Sequence, residues 1–232
     1  MPTLIDLSQE IFHRAPVFPG HPPIQVFPFM THEDRETPPK ISKTTSPVVN
    51  SIIFSDHSST HVDAFSHFSK DLRDSSIATM PLDMFYTEAI CLDLSHFPPK
   101  GLIEVADIQA ALAKHNLAIK PQDTVLLYTD HFRRTFGTPA FTSDWPGISA
   151  DVARWFGKQQ VTAFGVESPG PGIPGISNAE VHRICGEMGY THYENLVDLH
   201  LLIGKGRFRF IAFPLKIRGG TGSPVRAVAV LE

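Results

Sequence analysis

Residues 55–68, SDHSSTHVDAFSHF, set three histidines and two aspartates in fourteen positions. His57, His61, Asp63 and His67 follow one another at intervals of four, two and four, so a straight strand would carry all four on one face. At about 3.3 Å per residue that strand holds His57 and His61 about 13 Å apart, far too wide for ligands that lie about 2 Å from a shared ion. A continuous helix fails as well, because at about 100° per residue Asp63 points away from the face shared by positions 57 and 61. The donors converge only if the backbone bends between His57 and His61, where Ser58 and Ser59 are small, and then runs extended through Asp63. A bent ligand loop is therefore expected. A single histidine is usually a surface or satisfied core residue, and the chain has 12 of them. Three at this spacing beside an aspartate shift the balance toward metal binding. Imidazole and carboxylate suit Zn²⁺, Mn²⁺ or Fe²⁺, and a set without cysteine argues for an open catalytic site rather than a closed structural zinc.

The rest of the chain has to supply a frame for that loop. TLIDLS, IQVFPFM, VVNSIIFS, EAICLDLS, DTVLLYTD, VTAFGVE, NLVDLHLL, FRFIAFPLKI and VRAVAVLE have strand character. EVADIQAALAKHN repeats its apolar residues at helical spacing. A second helix follows the N-cap Ser149, and a third begins with Ser177 and Glu180 in capping-box spacing and stops at Gly189, which puts His182 on a short helix. APVFPGHPP and SPGPGIPGI are turns of constrained path, and THEDRETPPKISKTTSP is a surface loop. No repeat or low-complexity tail divides residues 1–232, so one β-rich α/β domain is expected. A net charge of −4 offers no basic face for nucleic acid or anionic lipid, and no eighteen apolar residues run together. Two cysteines are too few for a disulfide framework. The expectation is a cytoplasmic protein with a small-molecule substrate, no nucleic-acid partner and no membrane association.

HSSTHVDAFSH fits the pattern H-x-x-x-H-x-D-x-x-x-H and resembles the signature of the metal-dependent cyclase, or cyclase-like hydrolase, family, which includes bacterial kynurenine formamidases and isatin hydrolases. The similarity continues through DLSQEIFHRAPVFPG, DTVLLYTD, PGISADVARWF, VHRICGEMGYTHYENLVDL and PLKIRGGTGSPVRAVAVLE, in the family's order. It implies the swivelling β/β/α fold, one or two divalent ions such as Zn or Mn, and assembly as a homodimer or homotetramer. It places His57, His61, Asp63, His182 and Glu194 on the family's metal ligands, with Asp63 and Glu194 as bridges between two ions, and His67 on its acid/base histidine. Three positions depart from the family: Ser59 replaces a usual glycine, Phe65 a usual proline, and Phe18 the tryptophan that precedes PG in kynurenine formamidases.

The resemblance implies hydrolysis of a small amide by activated water, the substrate being an N-formyl aromatic amide such as N-formylkynurenine or a cyclic amide such as isatin. A lactone or ester hydrolase, or a non-catalytic metal-dependent binder, is the alternative. Retention of His67 speaks against the binder, which has no need of a titratable group beside its ligands. Phe18 and Phe65 are candidates for an apolar substrate wall, with Phe68 more suited to the core. Trp145 and Phe141 fit either a lid or local packing. Arg218 and Arg226 fit a surface or ion-pair role better than a substrate carboxylate. His192, two residues before Glu194, suits an outer position supporting the ligands as well as an extra ligand, and it stays outside the expected metal set.

Overall fold

The computed structural model describes residues 1–33 and 47–231. Most of the THEDRETPPKISKTTSP segment, expected to be a surface loop, lies outside the described residues. In chain order the elements are β1 (Thr3–Asp6), β2 (Gln25–Met30), β3 (Val49–Ile53), β4 (His61–Asp63), α1 (Phe65–Phe68), β5 (Tyr86–Asp93), β6 (Leu102–Ile103), α2 (Val105–Lys114), β7 (Thr124–Tyr128) and α3 (His131–Thr135). They continue with β8 (Gly147–Ile148), α4 (Ala150–Lys158), β9 (Ala163–Val166), α5 (Asn178–Met188), β10 (Thr191–Glu194), β11 (Phe208–Ile211), β12 (Gly222–Pro224) and β13 (Val228–Leu231).

Nine strands form one sheet in the order β1-β13-β11-β5-β7-β9-β10-β4-β12. Its centre, β5-β7-β9-β10, is parallel, and the strands on either side are antiparallel. Central strands buried on both faces read as unbroken apolar runs. Along β5, Ile90 and Leu92 join the core beneath α2, α4 and α5, while Ala89 and Cys91 join the core on the opposite face. The helical face is closed by Ile108, Val152, Phe156, Val181 and Ile184. The other face is closed by Phe85, Leu199, Leu202, Phe208 and Phe210.

Local details follow the side chains. Ser149 caps α4 by accepting from Val152 N at 3.3 Å, and Gly189 ends α5 in the left-handed region at φ 73°. Two expectations fail. The capping box at Ser177 does not form: its hydroxyl accepts from Ile173 N at 3.0 Å, and Glu180 is drawn instead into ion pairs with Arg154 and Arg183. NLVDLHLL is not a strand, because Asp198 turns the chain at φ 56° and Leu199–Leu202 coils into a 3₁₀ turn. β2 and β3 are strands as expected, and they pair as a separate two-stranded ribbon with Phe27, Phe29, Ile52 and Ile53 exposed. No helix among the described residues is long and apolar enough to cross a membrane.

Candidate metal centre

The bend required by the donor spacing is present at Ser59, whose φ of 54° lies in the left-handed region. The Ser58 hydroxyl accepts from Ser55 N at 3.1 Å and tightens the turn. The chain then enters β4, which sits between β10 and β12 with Glu194 paired to His61 and Gly222 paired to Asp63. Position 222 has to be glycine: a Cβ there would stand 2.8 Å from His57 Cε1. Helix α5 delivers His182 to the same place.

The outward nitrogens of three imidazoles are already committed. His61 Nδ1 lies 2.9 Å from Ser59 O, and His182 Nδ1 lies 2.7 Å from Asn178 O. A carbonyl oxygen only accepts, so each of these nitrogens carries the proton. The Thr221 hydroxyl donates to Asp56 Oδ2 at 2.9 Å, and so it accepts from His57 Nε2, also at 2.9 Å. The remaining nitrogens, His57 Nδ1, His61 Nε2 and His182 Nε2, therefore face inward toward carboxylate oxygens. His57 Nδ1 is 2.8 Å from Asp63 Oδ1. His61 Nε2 is 3.4 Å from both Asp63 Oδ1 and Glu194 Oε2. His182 Nε2 is 3.6 Å from Asp63 Oδ2 and 3.8 Å from Glu194 Oε1. Carboxylates crowded against ring nitrogens in a buried space require positive charge between them, as protons on the imidazoles or as a metal ion that displaces them. Consistent with this, His61 Nε2 and Asp63 Oδ2 are buried with no hydrogen-bond partner. Two donors each about 2.1 Å from one ion at a tetrahedral angle stand about 3.4 Å apart, which matches the His61 separations and lies close to that of His182 from Asp63, while the 2.8 Å His57–Asp63 contact is a hydrogen bond.

The carboxylates also divide the donors. Asp63 Oδ1 faces His57 and His61 and Glu194 Oε2 faces His61, whereas Asp63 Oδ2 and Glu194 Oε1 face His182 and His192. Each carboxylate thus presents one oxygen to each set, the arrangement of a bridge. His192, outside the expected metal set, is in the second set: its Nε2 is 3.2 Å from both Asp63 Oδ2 and Glu194 Oε1. It is fully buried, stacked on Phe68 at 5.3 Å with Phe164 at 5.4 Å. The usable sequence signal was its i, i+2 relation to Glu194, which a strand turns into a shared face.

The charge states follow from this crowding. Burial by itself pushes His61 down, but the Asp63 and Glu194 carboxylates outweigh it and hold the imidazole at about 10. His192 is likewise raised well above the usual range, against burial, chiefly by Asp63. Burial raises Asp63 and Glu194, yet the imidazoles prevail: Asp63 lies well below the usual range and Glu194 at about 2. His67 behaves differently. Its Nε2 is 3.8 Å from Asp63 Oδ2, its side chain is 33 % exposed, and burial pushes it down to about 4. It is the most open imidazole of the cluster, with its ring 4.2 Å from that of His57.

The expected wall residues separate. Phe18 packs on Trp145 at 6.1 Å and on His21 at 5.4 Å, and the His21 ring lies 6.0 Å from His57. His21 is a further residue of the site not singled out by the sequence, its only signal being its place in the rigid PGHPP turn. Phe65 meets Phe68 and the apolar core rather than the histidine rings. On α1 it is two positions from His67, about 200° around the helix, and this points it away from the cluster. Phe68 instead touches His67, His182 and His192. Trp145 and Phe141 are fully buried, with Trp145 Nε1 donating to Gly172 O at 2.7 Å, so they are packing residues and not a lid. Arg226 pairs with Asp6 at the surface, and Arg218 is exposed.

The chain is 28% identical to the kynurenine formamidase of Erythrobacter litoralis over 96% of its own length and 91% of that protein's. It is 25% identical to the kynurenine formamidase of Salinibacter ruber over 97% and 96%. The solved structure of isatin hydrolase A from Ralstonia solanacearum superposes with a TM-score of 0.84 at 25% identity, covering all of this chain and 92% of that one. The mixed α/β fold with its large sheet is thus the one seen in cyclase-family structures. Residues 5–172, which hold the bent loop and most of the parallel strands, match the profile of the Cyclase family, and the chain belongs to that family.

Proposed function

We propose that the chain is a metal-dependent hydrolase that cleaves the carbon–nitrogen bond of a small amide: an N-formyl aromatic amide such as N-formylkynurenine, or a cyclic amide such as isatin. The observation that carries this reading is the convergence of four imidazoles on two buried carboxylates, with one more imidazole, His67, open beside them. His57, His61, Asp63 Oδ1 and Glu194 Oε2 would hold one divalent ion, Zn or Mn. Asp63 Oδ2, Glu194 Oε1, His182 and His192 would hold another. An ion in this place supplies Lewis acidity, making water more acidic and drawing electron density from a substrate carbonyl.

The chain's own residues do the rest. His67 is unprotonated at neutral pH, since burial holds it at about 4. Its Nε2 accepts the proton that the attacking water gives up and passes it to the departing nitrogen as the C–N bond breaks. Phe18, braced by the buried Trp145, offers an apolar face on the approach to the cluster. The relatives named kynurenine formamidase and isatin hydrolase support this class of bond. The test is hydrolysis of N-formylkynurenine, isatin and a lactone by protein loaded with Zn²⁺ or Mn²⁺, against the same protein treated with chelator. Metal-dependent turnover of either amide is expected. Turnover of the lactone alone, or metal binding with no turnover, overturns the proposal.

A further inference from the structure

We infer that Asn195 is a positioning residue for the metal-binding nitrogen of His61, acting through the backbone carbonyl of Ser59. This rests on the two-ion reading above and extends it to a residue outside both donor sets. Ser59 O accepts twice, from His61 Nδ1 at 2.9 Å and from Asn195 Nδ2 at 3.0 Å. A carbonyl oxygen has two lone pairs, and both are used here. The His61 bond decides which ring nitrogen is protonated and the plane in which Nε2 faces Asp63 and Glu194. The Asn195 bond fixes the direction of that carbonyl, which otherwise belongs to a strained left-handed turn.

Asparagine suits the position on two independent grounds. Its own φ is 55°, in the left-handed region that asparagine tolerates better than most residues. Its amide nitrogen faces an acceptor and can only be the donor, so the amide orientation is settled by chemistry. The main chain closes the link from the other side. Asn195 O accepts from the Thr60 hydroxyl, and the same hydroxyl accepts from Gln9 N at 2.7 Å. Asn195 N is anchored to Ser168 O at 3.0 Å. One residue thus ties down the two positions immediately before His61, next to the β10–β4 pair of Glu194 with His61. By contrast, the outward nitrogen of His182 is held by the carbonyl of its own helix, four residues back. Asn195 therefore acts on one donor set and not on the other.

The experiment compares wild type with Asn195→Gly, which keeps the left-handed backbone and removes only the side chain. Zn²⁺ dissociation constants are measured by competition with a chromophoric chelator. Loss of an outer partner of a ligand typically costs 10–100-fold in metal affinity, so one of the two constants should weaken by about that factor. The other should stay within about threefold, inside the scatter expected for an untouched site. Both constants unchanged, or both weakened in parallel as by general loosening, overturns the inference. Nitrogen-15 spectra of histidine-labelled, Zn-loaded wild type give a second readout that holds even if the variant fails to fold: His61 must carry its proton on Nδ1, and a proton on Nε2 overturns the inference. A wild type that takes up one ion refutes the two-ion reading separately. Asn195 is then judged on the His61 signals, which must change in Asn195→Gly. Failure of amide hydrolysis bears on the proposed activity alone and leaves these binding constants interpretable.

Discussion

His57, His61 and Asp63 reach their places through a single tight turn and three residues of strand, whereas His182, His192 and Glu194 come from a helix and the strand after it. The two sets share the same pair of carboxylates and yet are stabilised differently. In the first, the turn is strained and its imidazoles are aimed by Ser59 O and by Thr221, the latter a residue from the far end of the chain. In the second, His182 is aimed from within its own helix and His192 is clamped between Phe68 and Phe164. The first set depends on hydrogen bonds to a loop, and the second on packing in the core. Substitutions should therefore disturb them unequally.

Asp63 is the place where that distinction should vanish, because its two oxygens face the two sets. Asp63→Ala is expected to lose both ions and all metal-dependent turnover, as read by elemental analysis and assay. An Asp63→Ala protein that kept its full metal content would mean that the sets do not share a carboxylate. His67→Ala comes next. It should lose about 10²–10⁴ in kcat, the usual range for a general acid or base, while keeping its metal. Metal loss there would move His67 from proton transfer to ligation.

His192→Phe asks whether the core-packed set needs its fourth donor. The ring still fits between Phe68 and Phe164, but the nitrogen is gone. One ion is expected to be lost while the His57–His61 ion stays, leaving a stoichiometry near half that of wild type. Full stoichiometry would make His192 an outer partner of the carboxylates rather than a ligand.

Proton release compares the sets without mutation. In the metal-free protein, His61 is held at about 10 and is therefore cationic at pH 8, and His192, raised well above its usual range, holds a proton more readily than a free imidazole. A metal must displace both protons. Calorimetry at pH 8 in buffers of different ionisation heat should show about two protons released as both sites fill, one from each set. The linkage to stability has a definite sign. A histidine with a raised folded pKa contributes stability that is complete below its unfolded value near 6.5 and is lost as pH rises through the folded value. The metal-free fold should thus weaken between pH 6.5 and about 10, with His61 contributing over that window. No proton release would place both imidazoles outside the inner coordination.

How much of this could be read from sequence follows the same division. The first set was legible because its donors are near neighbours, and their intervals alone required a bend. His182 and Glu194 emerged only through the family resemblance, since no local periodicity links a helix to a later strand across a sheet. His192 shares a strand face with Glu194, but whether that face meets Asp63 depends on β10 pairing with β4, a long-range event. Three of the parallel core strands, β5, β7 and β9, were plain from their apolar runs, whereas β10, THYE, has none and was not expected. The Ser177 capping box and the 199–202 segment were not legible, because tertiary ion pairs and a left-handed aspartate overrode local preference. Phe65 packs on Phe68 and the core for a similar reason: adjacency to the ligands in sequence does not survive the turn of a helix.

The smallest expected effect lies in the strained turn itself. Ser59 holds φ at 54° and its hydroxyl is buried without a partner. For an ordinary residue the left-handed region costs about 1–2 kcal/mol, and glycine avoids that cost. Glycine in turn gives up about 0.5–1 kcal/mol through its greater freedom in the unfolded chain. Ser59→Gly should therefore stabilise the protein by up to about 1.5 kcal/mol, or roughly 3–6 °C in Tm at most for a domain of this size. The carbonyl that aims His61 belongs to the backbone and is retained, so both metal constants should be unchanged. A melting curve and a Zn²⁺ titration together decide the matter. A gain in Tm with unchanged binding shows that the first set tolerates the strain without using it. A weakened His57–His61 ion despite a higher Tm would show that the rigidity of a non-glycine turn helps to hold the donors, and that this set, unlike the core-packed one, depends on the stiffness of its loop.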